Sequence, residues 1–174
     1  EEYFRWRNRS AGTVRRELGV LRAAINHAFA ERRITYPVVV HLPQKTESKD
    51  RWLTKHEAAL LLRASLRLNR ARLHLPLFIV IALHTGQRKE AVLSLRWSQI
   101  DLDAGLIQWN PEGREQTKKR RPRARIPTKL LPHLRRARLR GSDIGYVIHR
   151  DGKRLGDIKK SFALACKNAS LENV

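Results

Sequence analysis

Apolar residues recur over positions 13–33 at Val14, Leu18, Leu21, Ile25, Ala28 and Phe29, which is a helical spacing. Arg15, Arg16, Arg22, Arg32 and Arg33 take the opposite face, so the pattern predicts a long amphipathic helix. Its stripe needs partner helices, and these are expected upstream of residue 1. Residues 36–43 read as extended chain fenced by Pro37 and Pro43, and residues 44–51 are polar, which together predict a linker. Thr54 followed by Glu57 is the capping-box pattern, in which each side chain satisfies an orphan backbone N–H of a first helical turn. A helix through Ala58, Leu61, Leu62 and Ser65 should follow. Residues 71–84 are apolar on nearly every side and predict a buried central helix, with Pro76 in its first turn or at a kink and Gly86 as its stop. A short helix over residues 89–95 comes next, with Val92, Leu93 and Leu95 apolar.

After Trp97 the period changes from helical to alternating. Residues 99–101 and 106–109 predict two strands joined by a turn at residues 103–105. A basic loop over residues 114–121 leads to a third strand at 123–126, with Arg123 and Arg125 on one face. Two more helices are expected at residues 128–139 and 157–168, with a short strand at 146–148 and a turn at Asp151-Gly152 between them. The expected class is α+β, mostly helical, with a small three-stranded antiparallel sheet.

Charge narrows the function. Lys and Arg number 37 against 16 Asp and Glu, a formal net charge of +21, which points to a polyanionic partner, nucleic acid first. The single cysteine, Cys166, rules out a disulfide framework and a Cys-rich zinc site. No two histidines stand at a metal-ligand spacing. The longest apolar run, residues 75–83, spans nine residues, too few to cross a bilayer. The chain has no methionine and no signal-peptide pattern, so a fragment of a longer cytoplasmic protein is expected.

Two stretches carry candidate chemistry. In His84-Thr85-Gly86-Gln87-Arg88 a buried helix ends at a glycine and a new helix opens on an arginine. The planar fork of Arg88 there can bind two oxygens of one phosphate, or it can cap the helix or form a salt bridge. Residues 114–125 hold seven Lys or Arg and one acid. A lysine at such a hairpin tip can protonate a leaving oxygen, and the plainer alternative is a solvated basic loop that binds polyanions without specificity.

These residues carry a resemblance. The stretch from Thr85 to Asp101, with Thr85-Gly86-Gln87-Arg88, then Leu93, Leu95 and Trp97, then Ile100-Asp101, resembles the first arginine box of the tyrosine recombinases, the phage-integrase family. Residues 116–127, from Gln116-Thr117-Lys118 to Arg125-Ile126-Pro127, resemble the family hairpin that carries an active-site lysine. Residues 51–57 resemble the opening of its catalytic domain, and residues 13–33 the last long helix of its core-binding domain.

The resemblance implies three segments: residues 1–35 from a helical core-binding domain, a linker at 36–52, and a catalytic domain at 53–174 that stops before the second His-x-x-Arg box and the nucleophilic tyrosine. It implies that Arg88 grips the scissile phosphate and that Lys118, or Lys119 one place on, is the acid for the leaving 5′-oxygen. Contacts to double-stranded DNA are expected from Arg15, Arg16, Arg22, Arg114, Lys119, Arg120, Arg121, Arg123 and Arg125. Neither metal nor cofactor is expected, nor a membrane. The complete enzyme would recombine or integrate DNA through a 3′-phosphotyrosine, as a higher-order oligomer on DNA, in the nucleoid-bearing cytoplasm. This chain by itself would bind DNA and leave it uncut. The alternatives are a non-catalytic DNA-binding module or decayed prophage remnant, and a basic RNA-binding protein.

Two features depart from the family pattern. An acid often stands three residues after the arginine, where this chain has Ala91, with Glu90 one place early. A literal His-x-x-Arg occurs at His133–Arg136, but it comes too early and lies among Leu130, Leu131, Leu134 and Leu139, which predicts a plain amphipathic helix. Tyr3, Tyr36 and Tyr146 fall before the first helix, in the linker and in a short strand, where packing is the expected role of Tyr146.

Overall fold

A computed structural model describes residues 9–45, 51–111, 113, 123–140, 145–172 and 174. The chain divides into two compact units, Glu1–Asp50 and Arg51–Val174.

The first unit is built on helix α1, Ala11–Ala30. It starts two residues before the expected Thr13, because the Ser10 carbonyl accepts the N–H groups of Thr13 and Val14 at 2.9 and 3.1 Å. It ends three residues before the expected Arg33. Arg32 turns left-handed at φ 55°, and the N–H groups of Arg32 and Arg33 reach back to the carbonyls of Phe29 and Ala28. That is a Schellman closure made without glycine. Of the predicted stripe only Val14 is fully buried, while Leu21 and Phe29 remain exposed.

The second unit opens with α2, Lys55–Leu66, and the capping box forms as its sequence predicts. Glu57 N–H donates to Thr54 Oγ1 at 3.2 Å, and Thr54 N–H donates to Glu57 Oε2 at 2.9 Å. The bond from Thr54 N–H, with Arg51 adding to it, holds the Glu57 carboxyl below its ordinary range. The central helix differs from expectation. A 3-10 turn at Ala71–Leu73 is followed, after a break at His74, by α3, Leu75–Thr85. Pro76 is the cause: it has no N–H to bond backwards, so the α-helix can begin only at the turn that contains it. Leu75, Phe78, Ile79, Val80 and Ile81 of α3 are buried.

Helix α4, Lys89–Leu93, leads through a 3-10 turn at Trp97–Gln99 into β1, Ile100–Asp101. Strands β2, Leu106–Gln108, and β3, Arg123–Arg125, complete an antiparallel sheet in the order β1-β2-β3. Ile107 pairs with Ala124 on the core side, and Gln108 with Arg123 on the outer side. Helix α5, Leu131–Arg140, starts after the expected Thr128, again with a proline, Pro132, in its first turn.

The strand expected at 146–148 is not where regular pairing occurs. Tyr146 makes only a single bridge with Arg96. The ribbon instead joins β4, His149–Arg150, to β5, Lys153–Arg154. Asp151 and Gly152 both have positive φ, 51° and 77°, as a two-residue hairpin turn requires, and that turn sets the register. Helix α6, Lys159–Asn168, follows and packs on α2. The core gathers Leu61, Ile81, Leu93, Leu95, Trp97, Ile107, Trp109, Leu134, Ile148 and Ala165 around α3. No helix among the described residues is long and apolar enough to cross a membrane.

Candidate functional site

The site is built where α3 stops and α4 starts. Thr85 Oγ1 donates to the Ile81 carbonyl at 2.7 Å and accepts from Gln87 N–H at 3.4 Å. Gly86 then turns left-handed at φ 61°, with its N–H on the Ala82 carbonyl at 2.9 Å. An L-residue at that angle would cost about 1–2 kcal/mol, so glycine is the economical choice. Arg88 is the N-cap residue of α4, extended at φ −62° and ψ 144°, and its carbonyl accepts the N–H groups of Ala91 and Val92. Its side chain is exposed.

The residues after Arg88 alternate between anchor and clasp. Ala91, Val92, Leu93, Leu95 and Trp97 are buried and fasten α4 to the core. Lys89 Nζ donates to Asp157 Oδ1 at 2.8 Å, and Glu90 pairs with Arg154 of β5. Asp157 Oδ1 also accepts the N–H groups of Ile158 and Lys159 at 2.8 and 3.2 Å, so one oxygen ties α4 to the start of α6. The Lys89 bond, ahead of the backbone bonds, holds the Asp157 carboxyl below its ordinary range. Ala91, at the place where an acid is common in the resembling family, lies in the core, and Glu90 beside it points outward to Arg154.

Arg123 and Arg125 are exposed and share the outer face of β3. Lys118, Lys119, Arg114, Arg120 and Arg121 lie outside the described residues. In the first unit Arg16 and Arg22 are exposed, while the Arg15 guanidinium donates to the Pro43 carbonyl. His133 and Arg136 are exposed on α5, with the apolar Leu134 turned inward. Among the described residues there is no group of three or more His, Cys, Asp or Glu able to hold a metal ion. His74 is buried with its Nδ1 unpartnered among the described residues, and burial, then Arg150 and His149, holds it below the ordinary histidine range.

One residue pair escaped sequence reasoning. Arg96 Nη2 donates to the Tyr146 hydroxyl at 3.0 Å, and its guanidinium carbon lies 4.9 Å from the centre of that ring. The only signal for it is the place of Arg96 between buried Leu95 and Trp97, which turns it outward.

With the geometry in hand, the sequence profile of the phage integrase family matches residues 51–171. The chain belongs to the phage integrase family. The matched span runs from Arg51, which pairs with Glu57 of the capping box, to Leu171 just beyond α6, and it includes the whole Arg88 junction. Two solved structures share the integrase fold at low identity. A XerA recombinase matches with a TM-score of 0.56 and 15% identity, over 99% of this chain and 68% of that one. A lambda integrase dimer bound to a COC′ core site matches with a TM-score of 0.65 and 21% identity, over 93% of this chain and 60% of that one. Both are longer than this member of the family. No curated protein matches the sequence.

Proposed function

We propose that the chain is the DNA-gripping part of a tyrosine recombinase that breaks and rejoins DNA at specific sites. Residues 53–174 serve as its catalytic domain, 36–52 as a linker and 1–35 as the end of a core-binding domain. Arg88 holds the scissile phosphate through its non-bridging oxygens, and Lys118, or Lys119, protonates the leaving 5′-oxygen. Arg123 and Arg125, with Arg16 and Arg22, lie against the DNA backbone. The recombinase works in the cytoplasm, as a higher-order oligomer on DNA.

The observation that carries this reading is the exposed fork of Arg88 on a junction made rigid on both sides, inside the family's matched span. A left-handed glycine fixes the chain before it, and five buried residues fix the chain after it. The guanidinium therefore starts from a fixed backbone position, and cations aimed at a developing oxyanion are usually the largest single contribution to catalysis. The second reading, a DNA-binding module without catalysis, draws on the buried Ala91.

Duplex affinity across a salt series tests the proposal. Log K should fall steeply with log salt, by about 0.9 per phosphate neutralised, and Arg88→Ala should lower that slope by about one such unit. A flat response in the wild-type chain would remove DNA backbone contact. An unchanged slope in Arg88→Ala would remove Arg88 from it.

A further inference from the structure

A concavity opens on the outer face of the sheet. Gln108 and Arg123 stand side by side across β2 and β3, and Asp101 of β1 faces the same way. Arg96, Tyr146 and Arg154 line the same concavity. The groove measures about 780 Å³, and Arg88 is not among the residues that line it.

Three guanidinium groups from three separate parts of the chain line this groove; Glu90 offsets the charge of Arg154 from outside it, and Asp101 is the lining carboxylate. That carboxylate is committed elsewhere: Asp101 Oδ1 accepts the N–H groups of Asp103 and Ala104 at 3.1 and 2.8 Å and so shapes the turn between β1 and β2. Like charges gathered in a concave wall repel one another, and an anion between them reverses the sign of that energy.

Two of the three cations, Arg96 and Arg154, are also held in place before any ligand arrives. Arg96 is stacked on the Tyr146 ring and bonded to its hydroxyl through one of its five N–H donors, the one bond its guanidinium makes among the described residues. The phenol oxygen accepts that bond, so its own O–H remains a donor, polarised by the charge behind it. Arg154 is steadied by Glu90. Side chains already ordered lose little entropy on binding. A carboxylate ligand would satisfy one fork. A tetrahedral phosphate offers oxygens to more than one fork and to a hydroxyl at once.

We infer that the groove framed by Arg96, Arg123, Arg154 and the Tyr146 hydroxyl is a phosphate-binding site separate from Arg88. The phosphate belongs either to a nucleic-acid strand or to a free phosphate ester, and both present the same oxygens. The site stands without the recombinase reading, since it needs only these four side chains.

The test follows the side-chain Nε–H signals of the arginines by NMR at low ionic strength while inorganic phosphate is added to the whole chain. Signals of Arg96, Arg123 and Arg154 should move together with one saturating dissociation constant. Arg96→Gln combined with Arg123→Gln should weaken that constant at least tenfold with an unchanged circular dichroism spectrum. Tyr146→Phe, which removes a donor and keeps the ring, should weaken it several-fold and guards against a folding artefact in the double variant. Arg88→Ala should leave it unchanged, so failure of the Arg88 assignment and failure of the groove are read separately. A short duplex then identifies the source. If the groove takes strand phosphates, duplex moves the same three signals and phosphate competes with it. If it takes free esters, duplex leaves them still while phosphate moves them. Non-saturating drift, or equal shifts at Arg63 and Arg140, which do not line the groove, would overturn the site.

Discussion

At the scale of single residues, backbone geometry and burial decide what each side chain can do. Gly86 lets α3 stop abruptly, and the stop is what aims Arg88 outward instead of continuing the helix. His74 shows the opposite situation, a titratable group placed where charge is unwelcome. It is buried, its Nδ1 has no partner among the described residues, and the groups that act on it are Arg150 and His149 of β4. Its folded pKa lies below the unfolded value near 6.5. Between the two values the unfolded chain binds more protons, so stability rises with pH in that window. Full stability is therefore present above about pH 6.5 and is lost as pH falls through the window. Urea midpoints between pH 7.5 and 5 should decline for the wild type, and His74→Phe should flatten the decline. An equal decline in both proteins would assign it to other groups.

At the scale of elements, α4 is five residues long and cannot stand by itself. Its buried face fixes where it lies, and the Lys89–Asp157 and Glu90–Arg154 pairs join its exposed face to α6 and β5. Exposed ion pairs contribute little by themselves. Asp157 matters more as an acceptor for the first N–H groups of α6. The two roles separate by substitution. Asp157→Asn keeps an oxygen for the backbone bonds and loses the charge, whereas Asp157→Ala loses both. The alanine variant should lower the urea midpoint clearly, and the asparagine variant by less than half as much. Equal losses would make the ion pair the main contribution.

At the scale of the whole molecule, a net charge of +21 ensures attraction to a polyanion but supplies no cutting chemistry. Cleavage by the mechanism proposed above needs an oxygen nucleophile in line with the leaving 5′-oxygen. Of the three tyrosines, Tyr3 lies outside the described residues, Tyr36 belongs to the first unit with it, and the hydroxyl of Tyr146 is bonded to Arg96. Cys166 is no substitute, since burial pushes its thiol up and keeps it protonated. The 174-residue chain should therefore bind a nicked suicide duplex and yield no covalent protein–DNA band on a denaturing gel. A band that vanishes in Tyr146→Phe would make Tyr146 a nucleophile and bring His133 and Arg136 back as its partners.

By itself the sequence determined whatever depends on neighbours a few residues apart. Thr54 and Glu57 announced their helix start, Gly86 its stop, and the spacing of Leu93, Leu95 and Trp97 which side of that segment is buried. The three-stranded sheet was legible for the same reason, because local periods and turn residues leave a pattern in the chain, whereas the segment from Thr85 to Asp101 was legible through its resemblance to a family. Helix starts slipped where Pro76 and Pro132 overrode an apolar run, and the ribbon of β4 and β5 was missed because its turn geometry outweighed the apolar residues before it. Only the tertiary structure decided which charges meet. Lys89 and Asp157 are 68 residues apart, Glu90 and Arg154 are 64 apart, and Arg96 and Tyr146 are 50 apart. Pairs so distant leave no period to read, and side chains that face solvent are under little demand to be apolar or polar. Their meeting follows from packing α3 among the helices and laying the sheet beside it, so the groove of Arg96, Arg123 and Arg154 exists only once the core has formed.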